Sequence, residues 1–227
     1  MLRRHDFVEG EFYHLYNRGN SKQPIFIDDR DREKFTKLLY LHNSQKSINF
    51  KEDIIQRNVD VWEFDRGESL VSIGAWVLMP NHFHIYLTPM SDIGKNSVTS
   101  FMRKLCTSYS KYFNTKYERI GGLFEGAFKS QHIINDNHAK YLFSYIHLNP
   151  VKIIDSKWKE SGIKDLDQTL DFLNKYRWSS YKDYLGEQRS ESKILDRDAF
   201  PDYFLDTETL KKEMFDWMTY LPMSDIG

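Results

Sequence analysis

The chain has 227 residues, 40% hydrophobic and 15% aromatic. That is enough to bury a core unaided and too apolar for wholesale disorder. Its net charge of −1 excludes a uniformly basic nucleic-acid binder but not a locally basic face. A single cysteine, Cys106, excludes an internal disulfide and suggests a small buried helix residue, and the absence of a Cys cluster gives no zinc signal. No apolar run reaches bilayer length and Met1 to Asp6 lacks a signal-peptide core, so a cytoplasmic setting with no membrane partner is expected.

In chain order, Glu11 to Asn17 mixes apolar and aromatic residues as a strand does, and Asn17 to Lys22 is turn-like. Asp28 to His42 predicts a helix, with Phe35, Leu38 and Leu39 on an apolar stripe and acids at its start. Residues 43–68 read as an irregular connection or small insertion. Leu70 to Leu78 is an apolar, β-branched strand, Met79 to Asn81 a tight turn, and residues 82–88 the antiparallel return. Ser97 to Tyr117 carries Phe101, Leu105, Tyr109 and Phe113 at helical spacing, and Gly121-Gly122 ends it. Phe124 to Ile134 predicts a last strand. The next helix, capped by Asp136 or Asn137, runs to a stop at Pro150.

Strand, helix, strand, strand, helix, strand, helix is a ferredoxin-like α+β order with an antiparallel sheet. The strand after Asn81 should be central. Residues 1–155 are read as the main domain and 156–227 as a helical appendage packed on it. Pro89-Met-Ser-Asp-Ile-Gly94 recurs as Pro222 to Gly227, and no function is assigned to the repeat. Charge is unevenly placed. Lys95 to Lys152 holds nine Lys/Arg against three Asp/Glu, and Glu160 to Gly227 nine against fifteen. A basic middle suits a phosphate backbone.

The segment His82-Phe83-His84-Ile85-Tyr86-Leu87 holds the strongest chemical signal. Alternate strand residues share a face, so His82, His84 and Tyr86 point one way and Phe83, Ile85 and Leu87 point into the core. Two imidazoles so placed can hold one divalent cation, although a His-x-His pair alone is more often a pair of ordinary strand positions. In the helix after residue 136, Tyr141, Tyr145 and Asn149 recur at i, i+4, i+8 and line one stripe. The Asn149 amide can supply a third ligand oxygen beside the phenol. A plain amphipathic helix is the competing reading for the tyrosines.

Together, Tyr145-Ile-His-Leu-Asn149-Pro150-Val-Lys, Trp76-Val-Leu-Met-Pro-Asn-His82-Phe-His84 and Tyr13-His-Leu-Tyr-Asn-Arg-Gly19 resemble the REP-associated tyrosine transposases, of the single-tyrosine, His-hydrophobe-His superfamily. Gly122 to Lys129 and Tyr176 to Tyr181 add two further motifs in the family's order, and the resemblance runs from about residue 10 to about 186. One departure is Ala127, where the family carries a basic residue. The resemblance implies His82, His84 and Asn149 as ligands of Mg²⁺ or Mn²⁺, Tyr145 as nucleophile, and the same fold. It also implies cleavage and rejoining of hairpin-bearing single-stranded DNA through a 5′-phosphotyrosine, by a monomer, with a dimer as the alternative.

Tyr141 is the rival nucleophile, and the Asn149 spacing favours Tyr145. Asn17 and Arg18 are candidate DNA contacts, and Arg103, Lys104, Lys111 and Lys129 generic phosphate contacts. His147 points away from Tyr145 and is excluded. Two alternatives stand: a hairpin-binding protein that does not cut, and a metal phosphoesterase that uses water.

Overall fold

A computed structural model of the chain describes residues 6–90, 96–202 and 207–219. Most of both copies of the repeated hexapeptide lies outside them. Four strands, β1 (Phe12–Arg18), β2 (Val71–Met79), β3 (His82–Pro89) and β4 (Lys129–Ile133), form one antiparallel sheet in the order β2-β3-β1-β4. Between them run α1 (Asp29–Leu41) and α2 (Ser97–Lys116), and after them α3 (Asp136–Leu148). The architecture is α+β with the ferredoxin-like order, and β3 is an interior strand.

Alternation along β3 divides the molecule into two layers. Phe83, Ile85 and Leu87 pack with Phe35, Leu38 and Leu39 of α1 and Phe101, Leu105 and Tyr109 of α2. On the other face Tyr86, with Ala75, Val77 and Met79 of β2, packs against Leu142, Phe143 and Ile146 of α3. The helix that carries Tyr145 therefore covers the histidine face, and α1 and α2 cover its back.

Three boundaries differ from those read in the sequence. β4 begins at Lys129 rather than Phe124, because Gly126 takes φ 143° and breaks the extended run. Asn135, not Asp136 or Asn137, caps α3 by accepting from the His138 amide at 2.9 Å. Pro150 removes a donor yet keeps helical torsions, so the chain turns directly into α4 (Val151–Ile154) and α5 (Trp158–Ser161).

The following segments, α6 (Leu166–Lys175), α7 (Tyr181–Tyr184) and α8 (Thr207–Thr219), fold back onto the sheet. Residues 176–180 cover the free edge of β2, which would otherwise be open to pairing. Leu78 N donates to Trp178 O at 2.9 Å, Ser180 N to Trp76 O at 2.9 Å, and Tyr176 Oη to Leu78 O at 2.5 Å. Trp158, Trp178 and Tyr181 are buried and pack their rings in the core. Residues 43–68 form short turns fastened by Asn43, whose amide bonds the backbone of Leu70 and Val71.

Behind the sheet, Asp31 joins α1 to α2. It is fully buried and accepts from the Ile27 amide, Lys116 Nζ (2.7 Å) and the Tyr112 and Tyr117 hydroxyls. Burial alone would raise its carboxyl, but these donors together hold it below the ordinary range. Its stabilising contribution is complete above about pH 5 and is lost as pH falls through the unfolded value near 3.9 towards the lower folded one. Asp31→Asn, which leaves Lys116 to Asp28 alone and weakens the bonds to the Ile27 amide and the two tyrosine hydroxyls, should cost about 2 kcal/mol in denaturant unfolding. It should also flatten the acid limb of the stability curve between about pH 5 and pH 3, and an unchanged acid limb would contradict this assignment.

Candidate active site

The site forms where the middle of the sheet meets α3. Register places His82 opposite Met79 and Arg18, and His84 opposite Val77 and Tyr16. The two imidazoles lie with centroids 5.0 Å apart and planes at 88°. His84 is 5% exposed. Its Nδ1 sits 2.8 Å from Nε2 of His14, on β1, while its buried Nε2 has no hydrogen-bond partner among the described residues. His82, partly buried, has its Nδ1 at 2.6 Å from Asn81 Oδ1 and a polar contact with Asn149. In each ring the Nδ1 position is engaged by the protein, which fixes the ring and leaves Nε2 for something else.

Burial is the main cause of low basicity here. It brings His82 to about 4, His14 to about 3 and His84 well below the ordinary histidine value. Neutral rings with fixed orientation are good metal ligands and poor general acids. Gln131 of β4 hydrogen-bonds His14. The tautomer in which His84 Nδ1 donates to His14 Nε2 is the one that leaves the His84 Nε2 lone pair free for a ligand.

Asn149, at the C-terminal cap of α3, is 1% exposed and stands beside His82, near enough to act on its protonation. Neither atom of its amide completes a hydrogen bond. Buried amides are nearly always bonded, so an amide unsatisfied beside His82, on the same face as the unpartnered His84 Nε2, suits an electrophile. Among the described residues no three His, Cys, Asp or Glu side chains converge on one point. A cation here would rest on two imidazoles and one amide oxygen.

Tyr145, one turn before Asn149, sets its ring edge-on to His84 at 5.4 Å and to His14 at 6.3 Å. Tyr141 stacks on Tyr145 at 6.2 Å and meets Trp217 of α8 at 5.3 Å. Of the two tyrosines on this stripe of α3, Tyr145 is the one in ring contact with the histidines, and Tyr16 of β1 meets the same pair from the sheet, at 5.0 Å from His14 and 5.7 Å from His84. His147 is buried on the far side of α3, bonded to Ser180 Oγ at 2.8 Å. Lys159 of α5 places Nζ 4.3 Å from the Tyr145 ring centre, and Lys152 and Lys159 are both near enough to act on His84.

The candidate DNA contacts separate into two groups. Arg18 is half-exposed beside His82 and ion-paired with Glu125 at 2.5 Å, and Lys129 is exposed on β4 opposite Tyr16. Both belong to the histidine face. Asn17 is buried, donating to Gly126 O and accepting from the Arg18 amide, so it orders the 124–126 segment. Arg103, Lys104 and Lys111 lie on α2, behind the sheet, and the Lys104 ammonium donates to the carbonyls of Ser44 and Lys46. The structure does not bring these three to the histidines.

His14, Gln131, Lys152 and Lys159 were not singled out in the sequence. His14 was detectable, since it shares the two-residue spacing of a strand face with Tyr16.

Several solved structures are similar to this chain, among them two transposases. The chain is similar to the REP-associated tyrosine transposase bound to a REP hairpin, at 13% identity over 90% of each chain with a TM-score of 0.48. It is also similar to a candidate transposase from Deinococcus radiodurans R1, at 12% identity over 63% of this chain and 93% of that one, with a TM-score of 0.34. No family model and no curated protein matches the chain. Likenesses this distant leave function to be read from the site itself. Among the described residues no helix is long and apolar enough to cross a membrane.

If His14 orients His84, His14→Ala should weaken Mn²⁺ binding about tenfold or more while leaving thermal unfolding within a few degrees. Calorimetric titration with Mn²⁺ checks this, and unchanged affinity would remove His14 from the site.

Proposed function

We propose that the protein is a metal-dependent single-tyrosine transposase and endonuclease that cleaves and rejoins single-stranded DNA. The observation that carries this reading is that three buried atoms on this face lack partners among the described residues, His84 Nε2 and both amide atoms of Asn149, with Asn149 beside His82 and His84 in ring contact with Tyr145. His82, His84 and Asn149 would hold a divalent cation. Their neutral nitrogen-rich set suits Mn²⁺ better than Mg²⁺, which prefers oxygen and keeps waters. Such a cation polarises the scissile phosphate and stabilises the charge that develops on it.

The protein supplies the remainder. Tyr145 Oη attacks phosphorus, the phosphorus–O3′ bond breaks, and the phenol proton leaves while the 3′ oxygen gains one. The products are a 5′-phosphotyrosine and a free 3′-hydroxyl, and attack of a 3′-hydroxyl on that ester rejoins the strand. The polarity, and the REP-like hairpin as substrate, rest on the motif resemblance. Lys152, Lys159, Arg18 and Lys129 surround the histidine face with positive charge suited to the phosphates, so binding should weaken steeply with salt.

Incubation of the protein with hairpin-bearing single-stranded DNA and Mn²⁺ should give a covalent adduct at Tyr145. Tyr145→Phe should abolish adduct and nicking by at least about a thousandfold while hairpin binding persists. Nicking that survives this substitution would overturn the assignment. Turnover with no adduct would favour the water-using phosphoesterase, and binding without turnover the non-cutting hairpin protein.

A further inference from the structure

Behind the sheet, on the opposite side from Tyr145, α1, α2 and the helical turn at residues 47–55 line an open cleft of about 750 Å³. Its walls include Lys34 and His42 of α1, Phe50 and Lys51 of the turn, and Lys111 and Tyr112 of α2, and no acidic residue lines it among the described residues. The Lys34 ammonium lies 2.8 Å from the Phe50 ring centre and 5.7 Å from that of Tyr112. Burial, with Lys37 nearby, brings Lys34 down to about 7.

His42 is 6% exposed, kept neutral by burial, and its Nε2 has no partner among the described residues. Lys116, at the same end of α2, is matched by Asp28 and Asp31. Among the described residues the ammonium groups of Lys34, Lys51 and Lys111 have no carboxylate partner. A partly buried ammonium without a counter-ion is costly. Beside two aromatic rings and an unsatisfied imidazole, it marks a place for an anion with a flat body.

We infer that this cleft binds a nucleotide, its base against Phe50 and Tyr112 and its phosphate facing Lys34 and Lys111. The volume lies within the range of small-ligand pockets, and a base on an aromatic wall with a phosphate on lysines is a common way to hold single nucleotides. The ligand could be a free nucleotide or one unit of a DNA strand that passes behind the sheet. It would also give Lys111 a role that its distance from the histidines otherwise leaves open. The site stands independently of the reading of Tyr145.

Titration calorimetry of the full chain with 2′-deoxyadenosine 5′-monophosphate should show saturable one-site binding. Lys34→Gln and Lys111→Gln should each weaken it about tenfold, the effect of one lost charged contact. Lys111 is exposed on its helix, so its replacement should leave the fold intact even if Lys34→Gln does not. Lys175→Gln, on α6, and Tyr145→Phe should change nothing, which separates this outcome from that of the cleavage assay. Deoxyadenosine alone and inorganic phosphate alone should bind at least severalfold more weakly than the nucleotide. Displacement of the bound nucleotide by pentathymidylate assigns the site to a DNA strand, and failure to displace it assigns the site to free nucleotides. No nucleotide binding at millimolar concentration, binding insensitive to both lysines, or phosphate competing as well as the nucleotide would overturn the inference.

Discussion

The register between β1 and β3, with Arg18 opposite His82 and Tyr16 opposite His84, underlies everything on the histidine face. It sets His14 diagonally against His84 and turns both rings towards α3. A slip of one residue would turn Phe83, Ile85 and Leu87 to that face and bury the histidines under α1 and α2. The apolar side of β3 prevents this, because those three residues are fully buried in the larger core cluster. Site geometry and core packing are thus two consequences of one strand's alternation.

Burial then gives the site its chemistry. Exposed imidazoles at neutral pH would be partly charged and free to rotate. Here the sheet and α3 keep the rings neutral, and His14 and Asn81 hold each Nδ1. Positive charge is kept nearby without entering the ligand set. The chain bends at Pro150 without leaving helical geometry, and the buried Trp158 anchors α5 so that Lys159 lies over Tyr145. The region past residue 155 therefore does more than decorate the core: it seals the edge of β2 and supplies a cation to the site.

Much of this was legible in the sequence because it follows local periodicity. Phe101, Leu105, Tyr109 and Phe113 marked α2, the His82–Leu87 alternation marked a two-faced interior strand, and the Tyr145–Asn149 spacing placed phenol and amide on one stripe. What escaped was what depends on contacts distant in sequence. His14 gains its meaning from a diagonal neighbour 70 residues away. The bond from the Asn17 amide to the Gly126 carbonyl joins residues 109 positions apart. The basic stretch from Lys95 to Lys152 read as one patch, yet the sheet passes through it, leaving Lys111 behind and Lys129 and Lys152 in front. Net charge along a segment carries no information about which side of a sheet it covers.

Two strand imidazoles and a helix-cap amide are the proposed holders of one cation beside Tyr145. Pulsed paramagnetic resonance of the Mn²⁺-loaded protein tests this most directly. The account predicts nitrogen couplings from two imidazoles, one lost in His82→Ala and the other in His84→Ala. Manganese bound with no histidine nitrogen coupling, or with couplings that survive both substitutions, would contradict it.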